Sequence, residues 1–114
     1  IANYWKRNMP TKLLNKSFET EHIIPFSSSW KKDKMDIERL GNIIPTLTEI
    51  NRSRGNRHID IYKKNYPDFY KHIKKFFQND AYDKIIKYKD DKPKIISIEE
   101  FNKFCRINEK IYIK

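Results

Sequence analysis

Glu21-His22-Ile23-Ile24-Pro25, Leu40-Gly41-Asn42-Ile43-Ile44 and Ile50-Asn51-Arg52-Ser53-Arg54-Gly55-Asn56-Arg57 are the three stretches on which the fold turns. Leading into the first, Phe18, Thr20, His22 and Ile24 alternate with Ser17, Glu19, Glu21 and Ile23, the period of two expected of extended chain over residues 11–24. Asn42-Ile43-Ile44-Pro45 reads as a second strand. Proline cannot donate to a ladder, so Pro45 is expected to end it. Thr46 followed by Glu49 has the form of a capping box, which predicts a short helix over about residues 47–54. Gly55 is placed to close that helix. The predicted order is strand, long loop over residues 25–39, strand, short helix.

Outward from this core motif, residues 17–57, the signals over residues 58–114 are helical. Pro67 suits a first helical position, and Tyr66, Phe69, Tyr70, Ile73 and Phe77 recur at helical spacing, a stripe that reads as core. Asp80 and Asp83 open a short helix carrying Tyr82, Ile85 and Ile86. Asp90-Asp91-Lys92-Pro93 reads as a break, after which Ser97 with Glu100 repeats the capping-box pattern for a helix with Phe101, Phe104 and Cys105 on its apolar face. Residues 1–10, with Tyr4, Trp5, Lys6 and Arg7, read as a short helix continuing from upstream. Ile1 in place of Met suggests a piece of a longer protein whose target-recognition part lies elsewhere. No internal repeat or second-domain boundary is visible, so one α+β domain over residues 1–114 is expected.

The chain has 114 residues, 38% hydrophobic and 14% aromatic, enough for one modest core. Lys and Arg number 25 against 15 Asp and Glu, a formal net charge of +10. That surplus concentrates polyanions by Coulomb attraction and counterion release, although a lysine-rich surface from an AT-rich genome has the same composition. The one cysteine, Cys105, excludes an intramolecular disulfide and a Cys-x-x-Cys zinc knuckle and fits a reducing interior. No apolar run approaches membrane-spanning length and no signal-peptide pattern is present, so an intracellular, cytoplasmic domain without a membrane partner is expected.

The three stretches hold groups suited to phosphodiester hydrolysis, which needs an attacking hydroxide, charge neutralisation at phosphorus and help for the leaving oxygen. His22 can deprotonate water near neutral pH. Glu21 supplies a carboxylate and Asn51 an amide oxygen, both suited to a hard divalent cation. Adjacent strand residues point to opposite faces, so bringing Glu21 and His22 to one point demands a bend or bulge near Pro25. Asn51 and Arg54, three apart, share a helical face, which makes Arg54 the first candidate for a substrate phosphate. Arg52 and Arg57 are further candidates, with a solvated basic face as the plainer reading. His58 is either an extra phosphate or metal contact or a surface histidine.

This pattern resembles the HNH, or ββα-metal, nuclease signature: an acidic-His pair followed by Ile-x-Pro at the end of a first strand, an Asn opening the second, and an Asn on the following helix. The Glu-His-Ile-x-Pro and Leu-Gly-Asn wording is most similar to the C-terminal branch of GmrSD-type, modification-dependent restriction enzymes. The resemblance covers about a third of the chain, through three elements in order. It implies a ββα-metal motif wrapped by further helices, with Glu21 and Asn51 as metal ligands and His22 as general base. Asn42 would brace the second strand so that His22 is oriented. It also implies DNA cleavage leaving 5′-phosphate and 3′-hydroxyl ends, with one Mg2+ (Mn2+ as substitute). Many members carry paired Cys-x-x-Cys motifs for a structural zinc; here no zinc is expected, and Trp30 with the downstream aromatic helices would hold the motif. Three rivals remain open: a nucleic-acid-binding module with a degenerate motif, a nuclease or toxin acting on RNA, and a lysine-rich partner-binding domain.

Overall fold

The computed structural model describes residues 5, 7, 18–25, 38–78, 80–90 and 92–112. Trp5 and Arg7 are helical; the rest of the expected N-terminal helix, the strand residues 11–17 and the loop carrying Trp30 lie outside the described residues. Strand β1 (Phe18–His22) pairs antiparallel with β2 (Ile43–Leu47), Phe18 opposite Leu47 and His22 opposite Ile43. The Ile23 N–H donates to the Asn42 carbonyl at 2.8 Å, extending the ladder past the strand ends. Bonded and non-bonded pairs alternate in an antiparallel ladder. Counting back from Ile23, the Thr20–Pro45 pair falls at a non-bonded position. Pro45 therefore forfeits no ladder bond, and β2 runs through it to Leu47 instead of ending there.

That extension moves the next boundary. Thr46 is paired with Glu19 inside the sheet and fully buried, so it is not free to cap, and helix α1 (Thr48–Arg54) starts behind Leu47 with no side-chain cap. The expected capping box does not form. At its other end Gly55, with φ 57°, donates its N–H to the Asn51 carbonyl at 3.2 Å and closes the helix as expected.

Helices α2 (Asp60–Asn65) and α3 (Pro67–Ile73) follow, with Pro67 in the first turn of α3. Phe69 and Ile73 are buried; Phe77 lies beyond the helix in extended backbone and still reaches the core. Short α4 (Tyr82–Ile85) runs directly into β3 (Ile86–Lys89), which pairs with β4 (Lys92–Ile95). This hairpin corrects two expectations: Ile86 starts a strand, and the Asp90-to-Pro93 break is a turn with its flanking strand. Asp90, at φ 52°, takes the left-handed conformation that two-residue hairpin turns need and that Asp tolerates. The Ile96 N–H bonds to the Ile85 carbonyl at 2.8 Å, so alternation puts Pro93, opposite Tyr88, at a non-bonded pair. Helix α5 (Ile98–Glu109) begins at Ser97, whose Oγ accepts from the Glu100 N–H at 3.1 Å, and buries Phe101, Phe104 and Cys105. The described residues thus form a small compact α+β domain. None of their helices is long and apolar enough to cross a membrane.

Helix α5 also seats the 3-10 turn Leu40–Asn42. A Cβ on Gly41 would lie 2.1 Å from the Cys105 carbonyl oxygen, so only glycine admits this approach. Asn108 Nδ2 donates to the Gly41 carbonyl at 2.9 Å, the Gly41 N–H donates to Glu109 at 3.2 Å, and Arg39 forks onto the same carboxylate at 2.6 and 3.1 Å. The Arg39 hydrogen bonds hold the Glu109 carboxyl below the usual carboxylate range, outweighing partial burial. A depressed folded-state pKa stabilises the fold above the unfolded value near 4.5 and is lost as pH falls through the folded value. Melting temperature measured downward from pH 6 is therefore expected to drop in acid, and Glu109→Gln to flatten part of that drop. An unchanged profile would show that the contact contributes nothing.

Candidate functional site

β1 and α1 build the site. Glu19 and Glu21 lie on one face of the strand, and Asn51 and Arg54 on the facing side of the helix. Asn51 Nδ2 donates to Glu19 Oε1 at 2.8 Å, and one rung along, Arg54 Nη1 stands 3.6 Å from Glu21 Oε2. Glu21, 8% exposed, turns inward: its Oε2 accepts from the Tyr62 hydroxyl at 2.9 Å and its Oε1 from the His22 N–H at 3.0 Å. Burial raises the Glu21 carboxyl above its ordinary range, opposed by the Arg54 charge and the Tyr62 hydrogen bond. Burial also raises the Tyr62 hydroxyl, which stays protonated as the donor.

His22 ends β1. Its imidazole, 22% exposed, places Nε2 2.8 Å from Glu38 Oε1 just ahead of the Leu40–Asn42 turn. A carboxylate accepts hydrogen bonds, so Nε2 is the donor of this pair when it carries the ring hydrogen. Behind it the chain bends at Ile23 and Ile24 and is gripped twice. Asn42, fully buried, accepts the Ile24 N–H at 2.8 Å through Oδ1 and donates through Nδ2 to the Ile24 carbonyl at 3.1 Å. Arg54, 1% exposed, donates to the His22 carbonyl at 2.7 Å, the Ile23 carbonyl at 2.6 Å and the Arg57 carbonyl at 2.8 Å. Asn42→Ala would leave the Ile24 N–H and carbonyl unpaired in the interior, an expected loss of about 2–4 kcal/mol readable as a lower melting temperature. Asn42→Asp, which keeps the acceptor for the Ile24 N–H but sets a second acceptor oxygen against the Ile24 carbonyl, should also melt lower; equal melting of all three proteins would refute the bracing role.

Several expected roles change. Arg54, expected on a substrate phosphate, spends its donors on buried backbone and is a clamp of the β1 end. Arg57 donates to the Ser53 and Arg54 carbonyls and so caps the end of α1. His58, left open between a phosphate or metal contact and a surface histidine, accepts the Asp60 N–H at 3.0 Å, sits 3.1 Å from Asp83 and lies part-exposed against the Tyr82 ring at the head of α2. Arg52 is exposed on α1. The direct partner of Asn51 is Glu19, one rung outward from the expected Glu21. Glu19, Glu38 and Tyr62 were not singled out from sequence; of these, only Glu19 carried a signal, its period-two spacing from Glu21.

The donor chemistry suits a hard cation: Glu19 and Glu21 carboxylates and the Asn51 amide share one face, and Asn51 Oδ1 accepts no hydrogen bond among the described residues. No three His, Cys, Asp or Glu side chains among the described residues group closely enough to hold a metal ion alone, so an ion here would draw on Asn51 and on water. Comparison with protein-family profiles, with curated proteins and with solved structures gives no match for the chain.

Proposed function

We propose that this domain is a metal-dependent nuclease of the HNH type that hydrolyses phosphodiester bonds in DNA. The observation that carries the reading is His22: a part-exposed imidazole backed by Glu38 at the end of a strand gripped by Asn42 and Arg54. A part-exposed histidine held in this way is suited to take a proton from water attacking phosphorus. Glu38 holds the ring and stabilises its charged form after transfer. Asn51, with Glu19 or Glu21, would hold the cation. The β1–β2 pairing stays in register through Ile23 and Asn42, so the expected bulge does not form and both carboxylates leave β1 on the face opposite His22. A bound Mg2+ would neutralise charge on a phosphate oxygen and on the departing 3′ oxygen. The strand, strand, helix order with the three motif elements at its ends supports the same reading.

One observation favours a second reading. The Glu21 carboxylate is occupied by Tyr62 and Arg54, as in a motif kept for structure in a domain that binds nucleic acid without cutting it. Digestion of supercoiled plasmid and of a matched RNA, with Mg2+ or with EDTA, separates the two. The nuclease reading expects Mg2+-dependent cleavage that Asn51→Ala weakens. Undiminished binding in EDTA with no cutting under Mg2+ or Mn2+ would favour the binder, and RNA-only cutting would change the substrate.

A further inference from the structure

The β3–β4 register sets Lys87 directly opposite Lys94 and Lys89 directly opposite Lys92. Cross-strand partners share a face, so all four lysines project from one side of the hairpin, and all four positions are exposed. The other side carries Ile86, Tyr88 and Ile95 toward the core. Like charges directly opposite destabilise a pair, and here the repulsion occurs twice in succession. A single lysine suffices to keep a strand edge from pairing with another chain; two opposed pairs exceed that need. A polyanion laid across the face turns both repulsions into attraction.

The hairpin is also joined to the His22 end of β1. The Tyr88 hydroxyl donates to the Asn56 carbonyl at 2.6 Å and lies 3.3 Å from the Tyr82 hydroxyl, which is 3.4 Å from Arg54 Nη2. That same nitrogen donates to the Ile23 carbonyl.

We propose that the outer face of the β3–β4 hairpin, formed by Lys87, Lys89, Lys92 and Lys94, holds the phosphate backbone of duplex DNA. The choice of DNA as partner rests on the nuclease reading; the surface itself rests on the register. Successive lysine pairs stand about 7 Å apart along the hairpin, and a two-stranded ribbon is narrow enough to follow a groove of B-DNA. The turn residue Asp90 lies at the tip, beyond the opposed pairs.

The test is the salt dependence of binding to a labelled duplex of about 20 base pairs, followed by anisotropy in EDTA so that no cutting intervenes. Lys87→Gln, Lys89→Gln, Lys92→Gln and Lys94→Gln combined are expected to reduce the slope of log affinity against log salt by about 3–4 and weaken binding roughly 10–100-fold near 0.1 M salt. The same four-charge loss at exposed Lys63, Lys64, Lys71 and Lys103 should change the slope by much less. Melting of both variants is followed so that a loss of fold is told from a loss of contact. An unchanged slope, an equal loss in the control variant, or no salt-dependent binding by the parent each overturns the proposal. Loss of binding confined to the hairpin variant, together with a parent that never cuts under Mg2+, would uphold the surface and defeat the nuclease reading.

Discussion

Replacing His22 with alanine is expected to lower DNA cleavage by about 10²–10⁴-fold, the usual contribution of a positioned base, while leaving salt-sensitive DNA binding intact. The Glu38 contact holds the ring through Nε2 at 2.8 Å. Alanine removes both the proton acceptor and the partner of Glu38. The imidazole is 22% exposed and Glu38 59%, so little packing is lost, and melting should shift by less than about 1 kcal/mol equivalent. Loss of activity with retained folding and binding is the pattern of a catalytic group. Glu38→Gln keeps an acceptor but not the charge, and about a tenfold decrease is expected, as for other groups that orient a functional histidine. Full cleavage by the His22→Ala protein would remove His22 from the chemistry and the HNH mechanism with it.

Arg54→Ala should act on stability instead. Its guanidinium satisfies three buried carbonyls and neutralises Glu21. Removing one member of a buried charged pair leaves the other uncompensated, at about 3–5 kcal/mol, against total stabilities of about 5–15 kcal/mol. A fall in melting temperature of roughly 10–20 °C is expected, and failure to fold at 37 °C fits the same account. Arg54→Lys retains the charge but cannot fork across the His22 and Ile23 carbonyls, so it should recover only part of the loss. If Arg54→Ala melted like the parent and merely bound DNA less well, the phosphate role suggested by its helical spacing would be reinstated.

The contrast between these residues shows what the sequence could carry. Spacing correctly placed Asn51 and Arg54 on one face, because three-residue spacing is a property of the helix alone. It could not say that the face is covered: burial of Arg54 depends on Tyr62 and Tyr82 arriving from other helices. Local chemistry was legible where no distant partner competed, as at Gly55, Pro67 and Ser97. It misled where pairing intervened. Thr46 has the composition of a cap but is held in β2 opposite Glu19, and both Pro45 and Pro93 read as breaks because their non-bonded ladder positions follow from register. The β3–β4 hairpin escaped notice for the same reason, its Asp90 turn masked by Lys92-Pro93. Glu38 lacked any local signal, since its distance from His22 depends on how the intervening loop closes.

The seat of the Leu40–Asn42 turn has a consequence during protein synthesis. Its partners, Asn108 and Glu109, are 67 and 68 residues further along the chain. A nascent polypeptide displayed on the ribosome as far as α1 already contains Glu21, His22, Asn42 and Asn51, yet has no α5 against which to set Gly41. At about 5–20 residues per second, several seconds separate translation of those residues from translation of their support. Until α5 emerges, the unfinished chain has nothing to seat Gly41, so Asn42 is not yet set against the β1 end that it later grips.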